Sequence, residues 1–105
     1  MPTPVQNKEQ VIERLSEARE RLAALGVTEV GLFGSFVSRR QTAASDVDML
    51  IDFAPGKSTF DNFMDVSFLL EELMGRHVEL VTPQALSPHI GPHILREVER
   101  VRIAA

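Results

Sequence analysis

The chain has 105 residues, 44% hydrophobic and 25% charged, with a net charge of −4 and neither cysteine nor tyrosine. That length supports one modest core and one domain over 1–105, and the acidic balance excludes the clustered Lys and Arg of a long nucleic-acid surface, so no stable direct nucleic-acid binding is expected. Disulfide and thiolate chemistry are excluded, which suits a reducing cytoplasm; apolar runs of a few residues, and a Met1-Pro2-Thr3-Pro4 start without a basic lead, speak against secretion or a membrane span.

In chain order, Val11, Leu15, Ala18, Leu22 and Leu25 recur at three- and four-residue steps, which predicts an amphipathic helix over roughly 7–25. Gly26 is its expected stop. A strand ending at Phe33 follows, built on Val30-Gly31-Leu32-Phe33, then a short helical turn after Ser35. A second strand runs from Val47 to Phe53, with Val47, Met49, Ile51 and Phe53 on one face and Asp46 and Asp48 on the other. Pro55-Gly56-Lys57 turns the chain into a second long helix carrying Phe60, Phe63, Met64, Leu70, Leu73 and Met74, ended by Gly75. Phe68 falls off that stripe, in a position open to a partner. Val78, Leu80 and Val81 mark a third strand. After Ser87-Pro88 and Gly91-Pro92 a last helix is expected, with Ile94, Leu95, Val98 and Val101 apolar.

The chemistry concentrates in Gly34-Ser35, a ten-residue spacer, and Asp46-Val47-Asp48. Alternation in an extended segment puts both aspartates on one side with Cα atoms about 6–7 Å apart, a hard-cation site in which carboxylates share Mg²⁺. Gly34 permits a turn closed to other residues and a close backbone approach to a triphosphate. Ser35 adds a hydroxyl and an N–H for phosphate oxygens. Glu79 lies between apolar neighbours in Val78-Glu79-Leu80, where a third carboxylate can ligate a second ion and accept a proton from an acceptor hydroxyl. A solvated strand face is the competing reading of Glu79. Asp52 is a rival third acid, but four residues past Asp48 it stands about 13 Å away along the same strand. Glu79 is preferred on condition that the third strand lies beside the second.

With Leu32-Phe33-Gly34-Ser35-Phe36, Ser45-Asp46-Val47-Asp48-Met49-Leu50-Ile51, Leu69 to Gly75, Val78-Glu79-Leu80-Val81-Thr82-Pro83 and Leu86-Ser87-Pro88, nearly the whole chain resembles the minimal nucleotidyltransferases of the DNA polymerase β-like superfamily, MntA-type proteins paired with HEPN-domain toxins. The resemblance implies an α/β fold with a small mixed sheet flanked by helices. It also implies ATP with two Mg²⁺ ions, and transfer of AMP to a hydroxyl, typically a tyrosine, of a HEPN toxin held in a hetero-oligomer. Carried over by position, Gly34 and Ser35 hold the triphosphate, and Asp46, Asp48 and Glu79 are the metal-holding and catalytic acids. Many relatives continue G-S-x-x-R-G, whereas here Ser38 stands at the arginine position and Arg39 at the glycine. Arg39 or Arg40 can supply the phosphate-contacting charge from a shifted turn, or both can be solvated helix-end residues.

Other motifs carry less. Gly56-Lys57-Ser58 ends like a P-loop, but the pattern needs glycine where Ile51 stands. His77, His89 and His93 are expected on the surface or at caps, because Gly91-Pro92 interrupts the His89/His93 spacing of a helical metal pair. Three functions follow: adenylylation of a partner protein, neutralisation of that partner by binding alone, and transfer to a small molecule of aminoglycoside type, for which 105 residues leave little acceptor pocket. A tyrosine acceptor would lie in another molecule.

Overall fold

Local capping starts the fold in the computed structural model, which describes residues 3–104; Met1, Pro2 and Ala105 lie outside the described residues. Asn7 Oδ1 accepts from Gln10 N at 2.9 Å, satisfying an amide that a helix start leaves unpaired, while Gln10 Oε1 accepts from Gln6 N, just ahead of the cap, at 2.7 Å. Helix α1 then covers Lys8–Glu17 and α2 covers Arg19–Ala24. The single helix expected over 7–25 is therefore two. Ala18 leaves helical geometry at φ −98°, ψ 12° yet keeps its N–H on Arg14 O, so the helix is interrupted there while Val11, Leu15, Ala18 and Leu22 all stay buried. Gly26, at φ +91°, ends the run as expected.

Strand β1 spans Val27–Phe33 and begins before the apolar run that marks it in the sequence. The turn Ser35–Ser38 is α3, and β2 occupies Val47–Phe53, antiparallel to β1 with Phe33 opposite Asp48. Thr59 Oγ1 caps α4, Phe60–Met74, by accepting from Asn62 N, and Gly75 closes it in the left-handed region. This helix carries the chain across to β3, Val78–Val81, parallel to β2, the crossover that a parallel pair requires. A 3-10 turn at Pro83–Ala85 and helix α5, Gly91–Glu97, lead to strand β4, Glu99–Arg102. The sheet is mixed, in the order β3-β2-β1-β4.

Here the last helix differs from expectation. It stops at Glu97, and Val101 lies in β4 opposite Val30. Val101 and Ile103 alternate with Arg100 and Arg102, a period of two, and the open edge of β1 supplies unpaired backbone groups that a strand satisfies and a helix does not.

The core fills one side of the sheet. Val30, Leu32, Val47, Met49, Ile51 and Val78 meet Val11, Leu15 and Leu22, with Val66, Leu70 and Met74 of α4. Phe60, expected on the packed stripe, is 77% exposed; the buried stripe is Val66, Leu70 and Met74, and Val66, six residues on, lies about 120° round the helix from Phe60. On the other side, Val98 Cγ2 sits 2.3 Å from where a Gly31 side chain would begin, beside Leu50, so the middle of that face is closed by the segment after α5. The end bearing Asp48 stays partly open.

Candidate active site

Parallel pairing sets the site. Val47 is opposite Val78 and Asp48 opposite Glu79, and residues in register project from the same face of a sheet. The condition attached to Glu79 is thus met by the geometry. Asp46 and His77 are the residues just before the Val47–Val78 pair, where Val47 N donates to His77 O at 3.0 Å. Asp52 stands at the other end of β2 beside Arg100, at 3.5 Å.

Gly34 follows Phe33, and Phe33 is opposite Asp48. At φ +78°, ψ −151° its backbone is closed to side-chain-bearing residues. A Cβ there would fall 2.2 Å from Asp48 Oδ2. The carboxylate thus rests against bare backbone, and Ser35 opens α3 next to it. Amides at the start of a helical turn have no partner within the turn.

Asp48 is half-buried, and its carboxyl is pushed above the ordinary range, first by burial, then by the charges of Asp46 and Glu79. Among the described residues no Lys or Arg forms an ion pair with Asp46, Asp48 or Glu79. Three oxygen-donor groups in mutual repulsion, with no Lys or Arg paired to them among the described residues, fit a hard divalent cation. One donor atom each from Asp46, His77 and Glu79 lies within 4.8 Å of the others.

His77 is the residue that sequence reasoning left out. Expected on the surface or at a cap, it is exposed, but it stands among the acids. Its Nδ1 is 2.6 Å from Glu71 Oε2 and its Nε2 3.7 Å from Glu79 Oε2. The Glu71 hydrogen bond, more than the charges of Asp46, Glu71 and Glu79, raises its pKa. The signal was available: His77 precedes Glu79 by two, the spacing that aligned Asp46 with Asp48. His89 and His93 do not join the cluster; His93 Nδ1 instead faces Arg96 at 3.0 Å.

Arg76 was also passed over. Its guanidinium donates to the carbonyls of Val5, Thr42, Ala43 and Ser45 at 2.8 to 3.1 Å and lies 5.2 Å over the Phe36 ring. It anchors the spacer that leads into Asp46. Arg39, considered for phosphate, points elsewhere: at φ +61° it closes α3 and its guanidinium holds Glu9 at 2.9 and 3.3 Å. That pairing raises the Arg39 pKa and lowers the Glu9 one. Arg40 is exposed at the same turn.

Residues 12–104 match the nucleotidyltransferase domain family. Over 82 residues the chain is 42% identical to the protein adenylyltransferase MntA of Thermococcus cleftensis, spanning 78% of this chain and 79% of that protein. A solved structure named provisionally as a minimal nucleotidyltransferase superposes with a TM-score of 0.68 at 30% identity, covering 84% of this chain and 93% of its own. A toxin–antitoxin structure with AMP-PNP superposes at 0.64 over 90% of this chain and 72% of its own; at 18% identity that likeness speaks for the fold.

Proposed function

Because the chain belongs to the nucleotidyltransferase domain family, we propose that it transfers AMP from ATP to a hydroxyl of a partner protein, as a single domain over 1–105. One observation carries the reading: the polymerase β-like sheet brings Asp48 and Glu79 into register beside Asp46, with the bare backbone of Gly34 against Asp48. Asp46, Asp48 and Glu79 are the residues that would hold two Mg²⁺ ions, which when bound neutralise charge developing on the pyrophosphate leaving group.

The protein's own share is positioning. Gly34 and the first amides of α3, with the Ser35 hydroxyl, receive the triphosphate. The acceptor oxygen bonds to the α-phosphorus as the bond from that phosphorus to the pyrophosphate oxygen breaks. Glu79, exposed at the edge of the sheet, takes the proton released by the acceptor hydroxyl. Arg39, committed to Glu9, supplies phosphate contact only by releasing that pair.

The acceptor is assigned to a HEPN-type toxin, neutralised by modification of a tyrosine in a hetero-oligomer. Three facts support this. A relative is named for protein adenylylation, folds like this one are found in toxin–antitoxin structures, and Phe60, Phe68, Ile90 and Leu95 are exposed apolar residues suited to a protein surface. The 105 residues hold no tyrosine, so a tyrosine acceptor lies outside them. No described helix is long and apolar enough to cross a membrane.

Those exposed apolar residues also favour a second reading, neutralisation by binding alone. Incubation with ATP, Mg²⁺ and the partner, followed by the partner's intact mass, separates the two. A gain of one or more AMP units, absent with Asp48→Asn, is the expected result; neutralisation at unchanged mass leaves binding alone.

A further inference from the structure

We propose that His77 is a ligand of the divalent-cation site, so that the site joins carboxylate oxygens to one imidazole nitrogen and favours a first-row transition ion over Mg²⁺. The inference rests on reading Asp46, Asp48 and Glu79 as metal-holding acids, and it adds to them a side chain outside the three acids assigned above.

The ring is held in a ligand's posture. Nδ1 is engaged at 2.6 Å by Glu71 Oε2, and the same oxygen accepts from Val78 N at 3.2 Å, so Glu71 is itself tied to the start of β3. A carboxylate holding one imidazole nitrogen fixes the tautomer and leaves the other as the donor, the arrangement that commonly supports metal-binding histidines. That other nitrogen, Nε2, stands 3.7 Å from Glu79 Oε2. This is too long for a hydrogen bond. It lies between the separations of about 3.0 Å and about 4.2 Å for neighbouring and opposite donors around an octahedral ion with bonds near 2.1 Å. Asp46 supplies the third donor within 4.8 Å. All three side chains are exposed, so an ion can reach them from solvent and the carboxylates can rotate to close on it.

The ligand set determines the preference. Mg²⁺ takes oxygen donors and retains water, whereas imidazole adds affinity for transition ions. A surface ion pair between His77 and its two glutamates would leave metal preference untouched, which makes the readings separable without any activity measurement.

The test uses the full chain with Mn²⁺ alone, titrated by electron paramagnetic resonance and examined by electron spin-echo modulation. Coupling to one ¹⁴N nucleus is expected in the wild type and lost in His77→Gln. Mn²⁺ affinity should fall about tenfold in that variant, with Mg²⁺ affinity, read by competition, nearly unchanged. His93→Gln should behave as wild type. Bound Mn²⁺ without nitrogen coupling, or coupling that survives His77→Gln, overturns the histidine ligand and leaves the acids' assignment standing. Wild type that binds no Mn²⁺ overturns both. Nitrogen-coupled Mn²⁺ in a chain that transfers no nucleotide sustains the ligand and sinks the proposed function.

Discussion

Gly34 meets two demands that usually fall on different residues. Its backbone, at φ +78°, costs a side-chain-bearing residue about 1–3 kcal/mol, and its missing Cβ is the space occupied by Asp48 Oδ2. Gly56 separates these demands, because it has nearly the same φ, +79°, with nothing near an added Cβ. Gly34→Ala should therefore destabilise at least as much as Gly56→Ala in thermal melts, and should alone lower partner labelling, by about 100-fold, since Asp48 must move by the order of an ångström. Equal labelling by the two variants would show that Asp48 tolerates displacement. The sequence made this glycine legible as a special turn after a strand, because a motif and a strand end coincide there. It could not reveal that the tight neighbour is a carboxylate, which depends on which residue of β2 faces Phe33. His77 was hidden for a related reason: its importance comes from the strand beside it, while its own neighbours in sequence read as an ordinary strand entry.

Elements place the acids, and what holds the elements is less visible than the elements themselves. The boundaries of β2, α4 and β3 follow from apolar periodicity and from Gly75, so they were readable. β4 was not, because its four residues follow α5 directly and Ile94, Leu95, Val98 and Val101 satisfy helical spacing as well. Only the open edge of β1 decides between the two. The ten-residue spacer has no regular strand, and Arg76 provides its order by donating to three of its carbonyls and to Val5 O. Arg76→Lys keeps the charge but offers a compact ammonium where a planar fork spans several acceptors. We expect a loss of about 2 kcal/mol, in the range of hydrogen bonds to charged groups, or a melting temperature lower by roughly 10 °C. Amide exchange should accelerate at residues 42–48 and remain slow in α4. Uniform acceleration through the whole chain would instead make Arg76 a general stabiliser with no special hold on the spacer.

At the scale of the molecule, one side of the sheet is given to packing and the open end of the other to mutually repelling acids, so folding and chemistry draw on opposite faces. The cost is readable as pH dependence. Burial, Asp46 and Glu79 raise the Asp48 pKa in the folded chain, so between the ordinary carboxylate value, about 3.9, and the raised value the folded state binds more protons than the unfolded one. Stability contributed by this group therefore falls as pH rises through that window, and the penalty is complete above it. Asp48→Asn removes the penalty. The variant should melt higher than wild type at neutral pH, and the gap should close as pH drops toward and below about 3.9. A divalent cation offsets the same repulsion by binding the folded state alone: at 100 times its dissociation constant the stabilisation is about 2.7 kcal/mol, a rise of roughly 10–20 °C for a domain near this size. Chelation should reverse that rise in the wild type, and Asp48→Asn should respond to the ion more weakly. Were Asp48→Asn to melt lower than wild type at pH 7 without metal, Asp48 would be stabilising the fold, and the division of labour between the two faces would not hold.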